Sequence, residues 1–187
     1  MQSSIIIKRV TEPAELAGIQ TLQQANLKQH LSATEQATQR FVTAEYSLEF
    51  LQAMHDAEPS FIAIDNATIV GYALVATRSI ASQHALLQDL FAQIDRHEYK
   101  GEQLAGINYV VVGQLCVAKS HRGLGLAQQL YAYYQSCLQH KYRYLITDID
   151  AANERSLKAH QKTGFNIIGE LSYGGSTWHI VLWNWNE

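Results

Sequence analysis

Val110 to Ala127 reads VVVGQLCVAKSHRGLGLA, and the fold follows from how this stretch is read. Tyr109 to Val117 is apolar and rich in β-branched residues, the pattern of a buried strand. Ala118 to His121 is a short polar link, and Arg122-Gly123-Leu124-Gly125-Leu126-Ala127 then runs straight into helical periodicity. A strand, a basic glycine-rich turn and a helix start make a recurrent anion site. Glycines let the backbone approach a ligand. The unpaired N–H groups of the first helical turn carry partial positive charge, and one Arg offers a fork of donors suited to phosphate oxygens. Two nucleotide motifs do not fit. Gln128 stands where a dinucleotide fingerprint needs its third glycine, and the Gly-Lys-Ser/Thr of the phosphate-loop hydrolases is absent. A glycine-rich helix start without a ligand is the plain alternative.

Downstream, Tyr144 to Ile149 (YLITDI) reads as the next strand, followed by Asn153-Glu-Arg-Ser-Leu-Lys-Ala-His160-Gln-Lys-Thr-Gly164-Phe165. Arg122-x-x-Gly125-x-Ala127 matches a Gln/Arg-x-x-Gly-x-Gly/Ala signature, and the second segment is an Asn that opens a helix ending in Gly-Phe. With both in order, each after a strand, the chain resembles the GNAT superfamily of acyl-CoA N-acyltransferases. The resemblance covers the C-terminal half in detail and the N-terminal half in element order. It implies acetyl-CoA as cosubstrate, and an arm of that molecule pairing with backbone groups of Leu115, Cys116 and Val117. It also implies a diphosphate on the amides of Arg122, Gly123, Leu124, Gly125, Leu126 and Ala127, and a contact from the Asn153 amide to the cofactor arm. Read alone, Asn153 is a good helix N-cap, and Gly164 suits a helix C′ position.

The 187 residues are enough for one domain with a substantial core, and no linker, repeat or low-complexity tract interrupts them. Hydrophobic residues make up 47% and charged ones 17%, as in a globular protein. A net charge of -3 argues against a nucleic-acid binder working through a broad basic surface. No apolar run approaches the length of a membrane span. Met1 to Ser4 leads only into a short apolar run ended by Lys8-Arg9, so neither a membrane partner nor a secretion signal is expected, and the expected compartment is the cytoplasm. Cys116 and Cys137 sit in apolar settings and read as core thiols. The 8 histidines include no H-x-x-x-H or Cys/His cluster, so no metal is expected.

Periodicity supplies the remaining elements. Ser4 to Val10 is a first strand. Thr11-Glu-Pro13 starts a helix running to about His30, and a second helical region covers Thr34 to Asp56. By resemblance these helices roof the acceptor site. Phe61 to Asp65 and Thr68 to Thr77 form a hairpin turning at Asp65-Asn66. A helical insertion at about 79–105 follows, carried by Leu86, Leu87, Leu90, Phe91 and Ile94 and ending in a polar tail expected to be mobile. Leu126, Leu130, Tyr133 and Cys137 mark the buried face of the central helix, widened by Tyr131 and Tyr134. Phe165 to Leu171 and Thr177 to Trp185 are the last strands, joined through Gly174-Gly175. The final one is apolar on both faces, which suggests cover by a second copy of the chain, a homodimer. The order is α/β, with three α/β/α layers and a mixed sheet. The resemblance adds that the sheet is mostly antiparallel, twisted, and splayed at a central parallel strand pair.

Direct acyl transfer asks a protein to hold an activated thioester, polarise its carbonyl, present a neutral amine and help the thiolate leave. Members of the resembled family commonly carry Tyr four residues before the Gly-Phe glycine as the acid; here that place holds His160. Imidazolium also donates protons, with an ordinary pKa of about 6.5. The competing reading is a helix histidine without chemistry. No Glu lies between Val110 and Val117, and Gln114 is the one clearly polar side chain there. Asp148 and Asp150 point the same way and can bind or deprotonate an ammonium group, unless they are simply acids at a strand end. The sequence therefore reads as an N-acetyltransferase for a small-molecule or peptide amine. The alternative is a non-catalytic acyl-CoA-binding module of the same fold.

Overall fold

The computed structural model describes residues 5–27, 42 and 44–187. The first helix stops at Gln24, short of the expected His30, and Ala44 to Ser47 of the expected second helical region are not helical; its Thr34 to Phe41 part lies outside the described residues. Among the described residues the strands are β1 (Ile6–Arg9), β2 (Phe61–Asp65), β3 (Thr68–Ala76), β4 (Glu98–Tyr99), β5 (Glu102–Gln103), β6 (Tyr109–Val117), β7 (Tyr144–Asp150), β8 (Asn166–Tyr173) and β9 (Ser176–Asn184). The helices are α1 (Pro13–Gln24), α2 (Leu48–Ala57), α3 (Arg78–Ala81), α4 (Ala85–Ile94), α5 (Leu126–Leu138) and α6 (Glu154–Thr163). The fold is mixed α/β. Its seven-stranded sheet has the order β1-β2-β3-β6-β7-β9-β8, is mostly antiparallel, and has β6 and β7 parallel. No helix among the described residues is long and apolar enough to cross a membrane.

The chain divides into two compact units, and β6 contributes to both. The first comprises Met1–Val75 and Gly113–Tyr134. Its α1 starts at Pro13 because the Glu15 carboxylate accepts the N–H groups of Thr11 (2.8 Å) and Glu12 (3.1 Å) while pairing with Lys8. Ser47 caps α2, accepting the Phe50 N–H at 3.1 Å. The β2–β3 turn falls on Asn66 and Ala67, with φ of 47° and 65°, one residue later than Asp65-Asn66. In the central helix the buried residues are Leu126, Ala127, Leu130, Tyr131, Tyr134 and Leu138, whereas Tyr133 is exposed. The stripe read from the sequence is thus rotated by about one residue. Tyr134 is the anchor, its ring centroid 4.7 Å from that of Phe61.

The second unit comprises Ala76–Val112 and Gln135–Glu187. Here Tyr109 to Val111 of β6 pair in parallel with Tyr144 to Ile146 of β7. At the end of that ladder Thr147 Oγ1 donates to the Val112 carbonyl at 3.1 Å, satisfying an acceptor that the ladder leaves. Antiparallel pairing of β7 with β9 runs from Tyr144↔Asn184 to Asp150↔Trp178. Arg78 grips Asp95 with two hydrogen bonds (2.6 and 2.7 Å), and the Tyr109 hydroxyl donates to the same carboxylate at 2.7 Å. The polar tail at 95–102 is a folded hairpin of β4 and β5, not a loose loop. Lys100 pairs with Glu187, Arg143 with Glu102, and Tyr99 stands edge-on to Tyr144, so partners distant in sequence hold it. Trp183 of β9 is half-buried, its ring lying against Phe165 and Trp185 within the unit.

Candidate functional site

In the first unit, β6 leads through one 3-10 turn (Lys119–His121) into the glycine turn ahead of α5. Gly123 and Gly125 have φ of 85° and 74°, values that only glycine adopts without strain. A Cβ at Gly123 would meet no protein atom within 4 Å, so the turn is open to an approaching ligand. The Gln129 N–H reaches the Gly125 carbonyl at 3.1 Å, and the amides ahead of it are those a helix start leaves without intrahelical acceptors. Arg122, expected to aim its fork at phosphate, also makes hydrogen bonds within the protein. Its Nε donates to the Val117 carbonyl (3.1 Å) and its Nη2 to Asn26 Oδ1 (2.8 Å). His121 Nε2 lies 3.0 Å from Asp65 Oδ2, tying the same turn to the β2–β3 hairpin.

Leu115 and Val117 are half-buried and Cys116 is buried. Burial pushes the Cys116 thiol up to about 12, although Arg122 and Tyr72 pull the other way, so it is no nucleophile at neutral pH. Beside it lies a closed polar network that sequence reading only touched through Gln114. The amide of Gln23, fully buried at 0% exposure, accepts the Tyr46 N–H (2.9 Å) and donates to Gln114 Oε1 (3.0 Å). The Tyr72 hydroxyl donates to that same oxygen at 2.5 Å, and Gln114 Nε2 donates to the Ala44 carbonyl at 2.8 Å. Burial raises the Tyr72 hydroxyl well above its ordinary value, so this network holds no group that takes up a proton near neutrality. The available signal was Gln23 itself, which follows Leu16 and Ile19 at helical spacing on an apolar stripe.

The second unit holds Asp148, Asn153 and His160. Asn153 caps α6, its Oδ1 accepting the Ser156 N–H at 3.1 Å. Gly164, with φ of 118°, closes the helix: its N–H and that of Phe165 both return to the His160 carbonyl. His160 is 7% exposed, and its ring stands edge-on to Phe165 at 5.1 Å. Its Nδ1 is 2.8 Å from the Ser156 carbonyl. A carbonyl only accepts, so Nδ1 carries a proton, and Nε2 carries one only in the imidazolium. Asp150 Oδ1 accepts the Ala152 N–H at 2.9 Å and is a turn-forming residue. Asp148 keeps some solvent contact, but the protein packed round it desolvates the carboxylate and raises it to about 6. Among the described residues no group of His, Cys, Asp and Glu could hold a metal ion.

A model of the acetyltransferase (GNAT) family matches residues 24–165. No curated protein matches the chain. Among solved structures, the NatC complex bound to Gag peptide and CoA is similar with a TM-score of 0.68 at 14% identity, over 97% of this chain and 98% of that one. An N-acetyltransferase from Staphylococcus aureus Mu50 is similar with a TM-score of 0.61 at 21% identity, over 98% and 99%. The Salmonella typhimurium protein yncA, solved with its cofactor acetyl-CoA, has a TM-score of 0.63 at 17% identity, over 98% and 95%. At these identities the structural likeness concerns the fold.

Proposed function

The chain belongs to the GNAT acetyltransferase family, and from that premise we propose that it is an acetyl-CoA-dependent N-acetyltransferase acting by direct attack of a primary amine on the thioester. The observation that carries this reading is the open turn at Gly123 and Gly125, whose two left-handed glycines expose main-chain donors at the start of α5. The amides of Gly123 to Ala127 hold the diphosphate, backbone groups of Leu115 to Val117 pair with the cosubstrate arm, and Asn153 touches the same arm. Arg122 shapes the turn rather than contacting phosphate. The acceptor is a small-molecule or peptide amine. A structural neighbour solved with a peptide and CoA is the reason for including the latter.

Asp148 is the base and His160 the acid. Asp148 removes one proton from the ammonium form of the acceptor, and the freed nitrogen attacks the acetyl carbon. As the C–S bond breaks, the electron pair leaves on sulfur and the His160 imidazolium supplies the sulfur proton. The surplus proton on nitrogen passes to solvent, and one stays on the amide. Cys116, protonated throughout, forms no covalent intermediate. Thiol release from acetyl-CoA, followed over a panel of polyamines, amino acids and peptide N-termini, tests the reading. At least one amine should accelerate release, and His160→Ala should lower kcat by about tenfold to a hundredfold with little change in the acetyl-CoA KM. CoA binding with no thiol release on any amine would overturn the reading, and an unchanged kcat in His160→Ala would remove that residue from the mechanism.

A further inference from the structure

The strongest unexplained feature of the first unit is a polar seam joining the glycine turn to the end of α1. Asn26 is 3% exposed. Its Nδ2 donates to the Leu22 carbonyl at 2.8 Å, which fixes the amide so that Oδ1 faces Arg122 Nη2 at 2.8 Å. Arg122 Nε is held by the Val117 carbonyl. One guanidinium therefore bridges the end of β6 and the end of α1 across the base of the anion turn. The main chain of Asn26 is engaged as well: its carbonyl accepts the Val42 N–H at 3.1 Å, beside a parallel bridge between Leu27 and Val42. One turn back, Gln23 accepts the Tyr46 N–H, and Gln114 of β6 donates to the Ala44 carbonyl. Polar groups of Asn26, Gln114 and Gln23 thus bond the main chain of Val42, Ala44 and Tyr46 in turn. Gln23 is in the last turn of α1, Asn26 lies just past its end, and Gln114 is on the strand feeding the glycine turn.

We propose that Asn26 and Arg122 form a positioning pair through which a diphosphate seated on the turn amides stiffens the main chain at Val42. The inference rests on reading that turn as the CoA site. A ligand on the amides restrains the turn, the turn restrains Arg122 through the short link from Val117, and Arg122 holds Asn26. Asn26 in turn presents the acceptor for Val42. The link is a hydrogen bond from a charged donor in a largely buried place, the kind whose loss is felt most. Arg122 is then a positioning residue, and CoA affinity and order at Val42 are separable.

The test is amide hydrogen exchange at Val42 in the full chain, with and without saturating CoA, alongside calorimetry. CoA should slow exchange at that amide by about tenfold in the wild type. Asn26→Ala should bind CoA within about threefold of the wild type and lose the slowing. Asn26→Asp, which keeps an oxygen for Arg122, should restore it, and Arg122→Ala added to Asn26→Ala should take nothing further away. Slowing that survives in Asn26→Ala, or CoA binding to the wild type without any slowing, overturns the proposal. Absence of CoA binding to the wild type removes the diphosphate reading itself, and the proposal with it. If Asn26→Ala does not fold, Arg122→Ala breaks the same bond from the other side and must abolish the slowing.

Discussion

In the proposed mechanism Asp148 is where chemistry and stability meet on a single residue. An unfolded Asp titrates near 3.9, whereas burial lifts the folded one to about 6. Between those values the folded state keeps a proton that the unfolded state has lost. Asp148 therefore costs nothing below about pH 4, destabilises increasingly as pH rises to about 6, and carries its full penalty above that. The shift of about two units sets a ceiling of about 3 kcal/mol. Asp148→Asn should accordingly raise Tm at pH 7.5, with the gain vanishing at pH 4, while kcat falls by about a hundredfold. In the wild type the acid limb of kcat/KM should lie near pH 6. A variant that loses activity without gaining stability would mean that the carboxylate is not desolvated as described. Asp148 was readable as a candidate from its place on a strand end, but its separation from Asp150 was not. That depended on which acid caps a turn, and only Asp150 does.

At the scale of elements, strands and helices with a clean period were legible, and features held by partners far away in sequence were not. β6, β7 and α6 lie where apolar runs and cap residues put them, because their stabilising groups are local. The β4–β5 hairpin looked like loose polar chain because Glu187 and Arg143, which pin it, are distant in sequence. The stripe of α5 was misread by about one residue because Tyr133 and Tyr134 are alike in sequence and both rings meet Phe61, and only the depth of burial separates them. The segment from α3 to α4 depends in the same way on a contact that no pattern shows. Asp95 is disfavoured by burial, but hydrogen bonds from Arg78 and Tyr109 hold its carboxyl below the ordinary range. Arg78 also lies over the Tyr109 ring, 4.5 Å from its centroid. Asp95→Ala should lower stability by about 1–2 kcal/mol, less than a fully buried pair because the Arg78 side chain is 40% exposed. Asp95→Asn should recover about half, since an amide oxygen still accepts from Tyr109. Equal losses in the two variants, read by thermal unfolding, would show that the negative charge rather than the hydrogen bonding carries the staple.

For the molecule as a whole, element order was legible and strand order only by resemblance. Pairings such as β7 with β9 join segments separated by a helix and another strand, and no local pattern encodes them. Net charge is a whole-molecule property with a direct consequence for the cosubstrate. At -3 the chain offers an anionic ligand no long-range attraction. Two basic side chains beside the turn are also engaged, His121 by Asp65 and Arg122 by Asn26 and Val117. If CoA is held by main-chain amides, its binding energy is short-range, and salt has little to screen. Raising ionic strength from about 0.05 to 0.5 M shortens the Debye length from about 14 to about 4 Å, yet Kd measured by calorimetry should change by less than about threefold. Weakening by a factor of about thirty or more over that range would mean that side-chain cations grip the diphosphate. In that case Arg122 would have to leave Asn26 when the ligand arrives, reversing the direction in which the seam at the end of α1 responds.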